Sequence, residues 1–87
     1  SGEINRRLAD PDAAIARIEA KYGGAGRVDK IDGLSVAFDD WRFNVRKSNT
    51  EPLLRINVET RGERELLRQK TEELLAIVDE TAADSAH

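Results

Sequence analysis

Cysteine is absent from this 87-residue sequence, and histidine occurs only at the last position, His87. The lack of cysteine excludes a disulfide framework, a thiol nucleophile and a thiolate metal site, and it is compatible with the reducing cytoplasm, where we expect the protein to work. A Ser-His-Asp triad built on one terminal histidine is implausible. Because no apolar run approaches the roughly 20 residues that cross a bilayer, and nothing resembles a signal peptide, we expect no membrane partner.

Positive charge and aromatic residues are also scarce. The net charge is −3 and aromatics make up 5% of the residues, which argues against a general nucleic-acid partner. The charge is uneven, because five basic residues lie in the middle of an otherwise acidic chain: Arg42, Arg46, Lys47, Arg55 and Arg61. A local basic site on an acidic body suits a small anion better than a polyanion. For Lys47 and Arg61 we favour ordinary solvated charges.

The length leaves room for one domain, 1–87, and for no second core, since a chain of this size buries only about 60–65% of its unfolded surface. A hydrophobic content of 39% and a charged content of 36% are typical of a globular chain and not of a disordered one. We expect residues 82–87 to form a frayed tail.

The first half of the chain predicts a strand followed by a helix. Residues 2–8 are short and mixed, and we interpret them as a strand. Asp10 and Pro11 form a strong helix start, because Asp10 can cap free N–H groups and Pro11 has no N–H to lose. Apolar residues then follow at helical spacing: Ile15, Ile18 and Tyr22. Gly23-Gly24 is expected to end the helix, and this reading is stronger than a nucleotide-binding loop.

The central segment predicts a meander of strands. Asp32-Gly33 is typical of a two-residue type I′ hairpin turn, and Asp39-Asp40 is a weaker turn signal. Between and after these turns the apolar residues alternate, as in half-buried strands: Leu34, Val36 and Phe38, then Trp41, Phe43 and Val45, then Leu54, Ile56 and Val58. Pro52 precedes the last of these strands, where proline is tolerated.

A second helix closes the chain. Thr60-Arg61-Gly62-Glu63 has the spacing of a capping box, and the apolar face after it includes Leu67, Leu74, Ile77 and Val78. The sequence therefore predicts an α+β fold of order β-α-β4-α. Two helices on one face of an antiparallel sheet would bury both apolar stripes.

The segment with the clearest functional chemistry is 46–52, between two predicted strands. Arg46 offers a planar guanidinium fork for a phosphate. Ser48 and Thr50 offer hydroxyls, Asn49 an amide, and a turn can direct several backbone N–H groups at one anion. The alternative is a polar turn without a ligand, because serine, asparagine and proline are common in turns. By composition alone the two readings are equally good.

At this segment the sequence resembles a known family. The run RKSNTEPLLRINVE (46–59) is similar to the phosphate-binding loop in the last domain of the α-D-phosphohexomutases, in the phosphomannomutase/phosphoglucomutase branch. SGEIN at the start and DGLSVAFDDWRFNVR (32–46) resemble other parts of that domain. Related glucosamine-phosphate mutases usually have glycine where this chain has Asn49. The resemblance implies a fold like the TATA-box-binding protein.

The resemblance also implies a role for each residue. Arg46, Ser48, Asn49 and Thr50 would bind the substrate phosphate that is not reacting, whereas Glu51 would shape the loop. Lys47 is expected to point away from the ligand. Arg55 is a supporting candidate, although we favour its pairing with Glu59 or Glu51.

The family's reaction needs more than this chain. In these enzymes a phosphoserine and magnesium belong to other domains, and a hexose 1-phosphate and a hexose 6-phosphate are interconverted through a bisphosphorylated sugar. The expected partners are therefore a mannose or glucose phosphate and the parent's other domains. No catalytic residue or cofactor is expected in this chain. No metal site is expected either, since the neighbouring carboxylates of Asp39-Asp40 lack further ligands. The alternative is a free-standing α+β module that binds RNA or a protein.

Overall fold

The computed structural model of the chain describes residues 2–31 and 33–85. It contains β1 (Gly2–Arg7), α1 (Pro11–Tyr22), β2 (Arg27–Asp29), β3 (Leu34–Ala37), β4 (Trp41–Lys47), β5 (Leu53–Thr60) and α2 (Arg64–Ser85). The five strands form one antiparallel sheet in the order β1-β5-β4-β3-β2. The predicted α+β class and element order are confirmed. No helix in this part of the chain is long and apolar enough to cross a membrane.

Helix α1 begins as the sequence predicts. The Asp10 side chain accepts a hydrogen bond from the Ala13 N–H at 3.2 Å, and Pro11 is the first helical residue. This cap satisfies one of the N–H groups that a helix start leaves without a partner. The helix ends at Tyr22, and the Gly23 N–H completes the last turn by donating to the Glu19 carbonyl at 2.8 Å. The glycine run therefore ends a helix and leads into β2.

The two predicted hairpin turns differ in outcome. Asp39-Asp40 is a two-residue turn, since the Phe38 N–H donates to the Trp41 carbonyl at 2.8 Å. The turn at Asp32-Gly33 was predicted in the right place but with the wrong length: Asp29 pairs with Ser35, so residues 30–33 connect β2 to β3. The Asp29 carboxylate accepts from the Ile31 N–H at 2.9 Å and begins the turn early. Gly33 has the expected positive φ, 79°, whereas Asp32 lies outside the described residues.

The predicted capping box before α2 was wrong. Thr60 is the last residue of β5, and its hydroxyl donates to the Glu63 carbonyl at 3.1 Å instead of accepting from an N–H group. Gly62 turns the chain at a φ of 76°, so the helix begins only at Arg64. The helix includes residues 82–85. Fraying of the 82–87 tail stays a prediction, and residues 86–87, with the only histidine, lie outside the described range.

The core lies between one face of the sheet and both helices. Helix α1 contacts β3 and β4, while α2 contacts β5 and α1. The predicted alternation is confirmed, because every second residue of the central strands is buried beneath the helices: Leu34, Val36, Trp41, Phe43, Val45, Leu54, Ile56 and Val58. Ala14, Ile18, Tyr22, Leu74 and Val78 close the core from the helix side.

The opposite face of the sheet is polar, and we call it the open face. It carries the alternate side chains of three neighbouring strands: Glu3, Asn5 and Arg7 of β1, Arg55, Asn57 and Glu59 of β5, and Arg42, Asn44 and Arg46 of β4. Successive side chains of a strand point to opposite faces. The burial of Val45 and Ile56 beneath the helices therefore places Arg46 and Arg55 on the open face.

Candidate functional site

The loop between β4 and β5 is a tight turn with an ordered backbone. The Ser48 N–H donates to the Leu53 carbonyl at 2.9 Å and so extends the strand pairing by one step. The Leu53 N–H donates to the Glu51 carbonyl at 2.8 Å across Pro52. The proline ring fixes a φ that suits a three-residue turn of this kind. The sequence therefore fixes where the loop reverses.

Within this loop the two hydroxyl residues lie together. Ser48 Oγ and Thr50 Oγ1 are 3.3 Å apart, and the Thr50 N–H donates to Ser48 Oγ at 3.3 Å. Asn49 lies between them and is exposed. The arrangement holds three of the four sequence-predicted ligands on one short stretch of surface, where their donors can reach a common anion.

Two arginines lie directly opposite each other where the loop joins the sheet. Arg46 of β4 pairs in register with Arg55 of β5, and both are half-buried on the open face. Like charges in opposing positions are destabilising, so this pair gains from an anion that both guanidinium groups can share. With Ser48 and Asn49 they line an open depression of about 510 Å³. Thr50 does not line this depression, but it contacts Ser48, which does.

Lys47 points to the other side of the sheet. Its register partner, Leu54, is buried beneath the helices, and its Nζ lies 3.1 Å from the Asp12 carboxylate in the first turn of α1. Lys47 therefore borders the depression from the helix side. Lys47 and Asp12 both line this depression, and the orientation of Lys47 away from a bound ligand stays a prediction.

Arg55 does not have the partners that we expected. Glu59 pairs with Arg42, and Glu51 pairs with Arg7 at 3.4 Å. Within residues 2–31 and 33–85, Arg55 forms no ion pair. The expected pair with Glu59 was wrong because four residues along one strand span about 13 Å.

Sequence reasoning missed two relations at the site. One is the direct pairing of Arg55 with Arg46, which counting residues across the 48–52 hairpin could have shown. The other is an ion pair between Arg46 Nη2 and Glu3 Oε1, 3.8 Å apart. Glu3 is on β1, and only the order of the strands brings it close, so nothing local in the sequence signals it.

Candidate metal-ligating side chains are not clustered in the described part of the chain. No group of three or more histidine, cysteine, aspartate or glutamate side chains is placed to hold a metal ion there. Asp39 and Asp40 are exposed turn residues at the end of the sheet opposite the 48–52 loop.

Comparison with known proteins assigns the family. Residues 3–77 match the family model described as "Phosphoglucomutase/phosphomannomutase, C-terminal domain". The chain belongs to this family. The phosphohexomutase resemblance seen in the 46–59 segment is therefore confirmed.

Curated relatives agree with this C-terminal domain assignment. The chain is 57% identical over 81 residues to a phosphomannomutase of Salmonella typhimurium, covering 92% of this chain and 18% of that protein. It is 55% identical over 75 residues to a protein named phosphohexose mutases of Xanthomonas campestris pv. campestris, covering 85% and 17%. A phosphomannomutase of Escherichia coli K12 is 51% identical over 81 residues, covering 92% and 18%. The chain thus spans less than a fifth of the length of these relatives.

Proposed function

We propose that the 46–50 segment binds the phosphate group of a hexose phosphate in a phosphomannomutase/phosphoglucomutase. The observation that carries the proposal is the side-by-side placement of Arg46 and Arg55 next to the Ser48–Thr50 hydroxyl pair. Membership of a family whose members include phosphomannomutases supports a phosphorylated sugar as the ligand.

Each residue has a distinct role in this proposal. A phosphate dianion at neutral pH needs cations with fixed geometry and several hydrogen-bond donors. Arg46 provides the guanidinium fork, and Arg55 provides a second one from the neighbouring strand. Ser48, Asn49 and Thr50 donate from the loop, and the contacts between Ser48 and Thr50 restrict the motion of these two residues before the ligand binds.

The proposed parent enzyme interconverts hexose 1-phosphate and hexose 6-phosphate. The family resemblance implies that the reacting phosphoserine and magnesium would come from other domains of the parent. This domain would hold the phosphate that is not reacting. We place the parent in the cytoplasm, with which the cysteine-free composition is compatible.

A free-standing RNA-binding or protein-binding module is the second candidate from sequence. The net charge of −3 disfavours RNA, and the aromatic side chains that could stack on bases, Trp41 and Phe43, are buried in the core. Family membership favours the mutase domain. A salt-dependent gel shift with RNA would revive the alternative.

An NMR titration of the chain tests the proposal. Inorganic phosphate, glucose 1-phosphate and mannose 6-phosphate should all move the amide resonances of residues 46–51, because the loop reads the phosphate and not the sugar. One charge-assisted site gives a dissociation constant on the order of millimolar. Shifts confined to residues 23–26, or no shifts at all, would refute the proposed site.

Two variants sharpen this test. Arg46→Ala should abolish the shifts and leave the fold intact, because Arg46 lies on the open face and not in the core. Lys47→Ala removes the same charge from the neighbouring residue and should change the affinity much less, since Lys47 is engaged with Asp12. A larger loss for Lys47→Ala than for Arg46→Ala would overturn the assignment.

A further inference from the structure

We propose that Glu3 competes with the bound phosphate for Arg46 and thereby weakens the site. The inference rests on the proposed phosphate-binding function. Glu3 Oε1 lies 3.8 Å from Arg46 Nη2. The carboxylate therefore offsets part of the positive charge of the guanidinium before a ligand arrives and repels an anionic ligand afterwards.

The pair crosses the full width of a strand. Glu3 is on edge strand β1, where it faces Asn57, whereas Arg46 is on β4, and β5 lies between them. Two strand spacings correspond to about 10 Å. Arg46 must therefore extend across the open face of β5 to reach Glu3. This path leads away from Ser48 and Asn49, so binding at the loop requires the guanidinium to leave Glu3.

Glu3 differs from the other carboxylates near the loop in the cation that it contacts. Three cations near the loop each have a carboxylate: Arg46 has Glu3, Lys47 has Asp12, and Arg7 has Glu51. Of these three pairs, only the first uses a proposed phosphate ligand. A change at Glu3 should therefore alter phosphate affinity through Arg46.

The geometry of the pair suits displacement. A separation of 3.8 Å exceeds hydrogen-bonding distance, so the contact is a charge interaction without a directed bond. Both side chains are more than 40% exposed, at 43% for Arg46 and 44% for Glu3. Exposed pairs of this kind are weak and screened by salt. A phosphate dianion that accepts two parallel N–H bonds can replace such a partner.

The test compares Glu3→Gln with the unaltered chain in a titration with inorganic phosphate at fixed ionic strength. Removal of the competing charge should tighten phosphate binding by roughly two- to fivefold, the range expected for one exposed ion pair. Before phosphate is added, the Arg46 Nε–H resonance should already move in Glu3→Gln, because its charged neighbour is gone. Glutamine keeps the size of the side chain, so β1 should stay paired.

Glu59→Gln is the matched control. It makes the same charge change on the same open face, at a carboxylate that pairs with Arg42 and not with Arg46. Its phosphate affinity should equal that of the unaltered chain. If Glu3→Gln binds phosphate no better than Glu59→Gln, Glu3 does not compete. If none of the three proteins binds phosphate, the proposed function fails, and the competition fails with it.

Discussion

Arg55 shows most directly what single residues contribute to the site. The sequence made Arg55 only a supporting candidate and favoured an acidic partner for it, yet the hairpin places Arg55 directly opposite Arg46. Arg55 has no carboxylate partner among residues 2–31 and 33–85, and its position beside Arg46 makes the electrostatic potential more positive where an anion would bind.

Arg55→Ala should therefore weaken phosphate binding by about tenfold, because it removes a charge-assisted hydrogen bond of roughly 1.5 kcal/mol. Arg42→Ala is a suitable control, since it removes an arginine from the same face that is already paired with Glu59. Titration with inorganic phosphate measures both. Equal affinities for the two variants would show that Arg55 does not contact the ligand.

Tyr22, the only tyrosine, links the core to pH. Burial first, and then the hydrogen bond to Glu73 at 2.9 Å and the charge of that carboxylate, raise the pKa of Tyr22 above its ordinary value. The folded-state pKa exceeds the unfolded value near 10. The protonated Tyr22 hydroxyl therefore stabilises the fold fully below about pH 10, and this contribution is lost as the pH rises toward the folded-state pKa.

Tyr22→Phe should accordingly cost about 1 kcal/mol of unfolding free energy at pH 7, the usual value of one hydrogen bond. Above pH 10 its stability should fall less steeply than that of the unaltered chain. Urea unfolding at pH 7 and pH 11 measures both effects. Parallel losses in the two proteins between these pH values would mean that the Tyr22 hydroxyl ionises as it does in the unfolded chain.

At the scale of elements, the sequence predicted correctly those features that depend on residues close together in the chain. The Asp10 cap, the Asp39-Asp40 turn and the alternation of β4 each depend on neighbouring residues, and all three are confirmed. The two errors arose where a motif competes with its surroundings. Thr60 has capping-box spacing but is held in β5, and Asp29 begins a turn that the Asp32-Gly33 pattern placed two residues later.

Gly33 ties the β2–β3 connection to the site. Its φ is 79°, and a Cβ would lie 2.6 Å from the Val45 carbonyl oxygen and 2.7 Å from Arg46 Cβ. Gly33→Ala should lower the free energy of unfolding by more than the roughly 1–2 kcal/mol that left-handed backbone strain costs. It should also weaken phosphate binding by shifting Arg46. Urea unfolding and phosphate titration test the two parts of this prediction.

Gly62→Ala separates backbone strain from steric overlap. Gly62 has nearly the same φ, 76°, but a Cβ there would have no atom within 4 Å. This variant should lose only the strain of about 1–2 kcal/mol and should bind phosphate normally. Equal losses in stability and affinity for the two alanine variants would show that Gly33 is not packed against β4 as described.

At the scale of the whole molecule, the sheet order assembles the site from distant parts of the chain. β1 and β4 are far apart in sequence, yet both pair with β5, so Glu3, Arg46 and Arg55 share one face of the sheet. Periodicity predicts which side chains share a face of one strand, but not which strands are neighbours. The loop residues 46–50 could therefore be proposed from sequence, with Arg55 as a supporting candidate, whereas the contact of Glu3 with Arg46 and the pairing of Arg55 with Arg46 became visible only in the fold.

The chain alone should not turn over glucose 1-phosphate, because the proposal assigns it one phosphate contact and no reacting group. In the longer parent enzyme that contact should matter for catalysis. Arg46→Ala should reduce kcat/KM by about 10–150-fold, which corresponds to roughly 1.5–3 kcal/mol for a hydrogen-bonded charge. Lys47→Ala should cause a much smaller loss, because its ammonium group lies 3.1 Å from Asp12 on the helix side.

Steady-state kinetics on glucose and mannose phosphates would measure both variants. Since the loop contacts phosphate, the loss for Arg46→Ala should be similar with either sugar, and a loss confined to one of them would mean that Arg46 recognises the sugar instead.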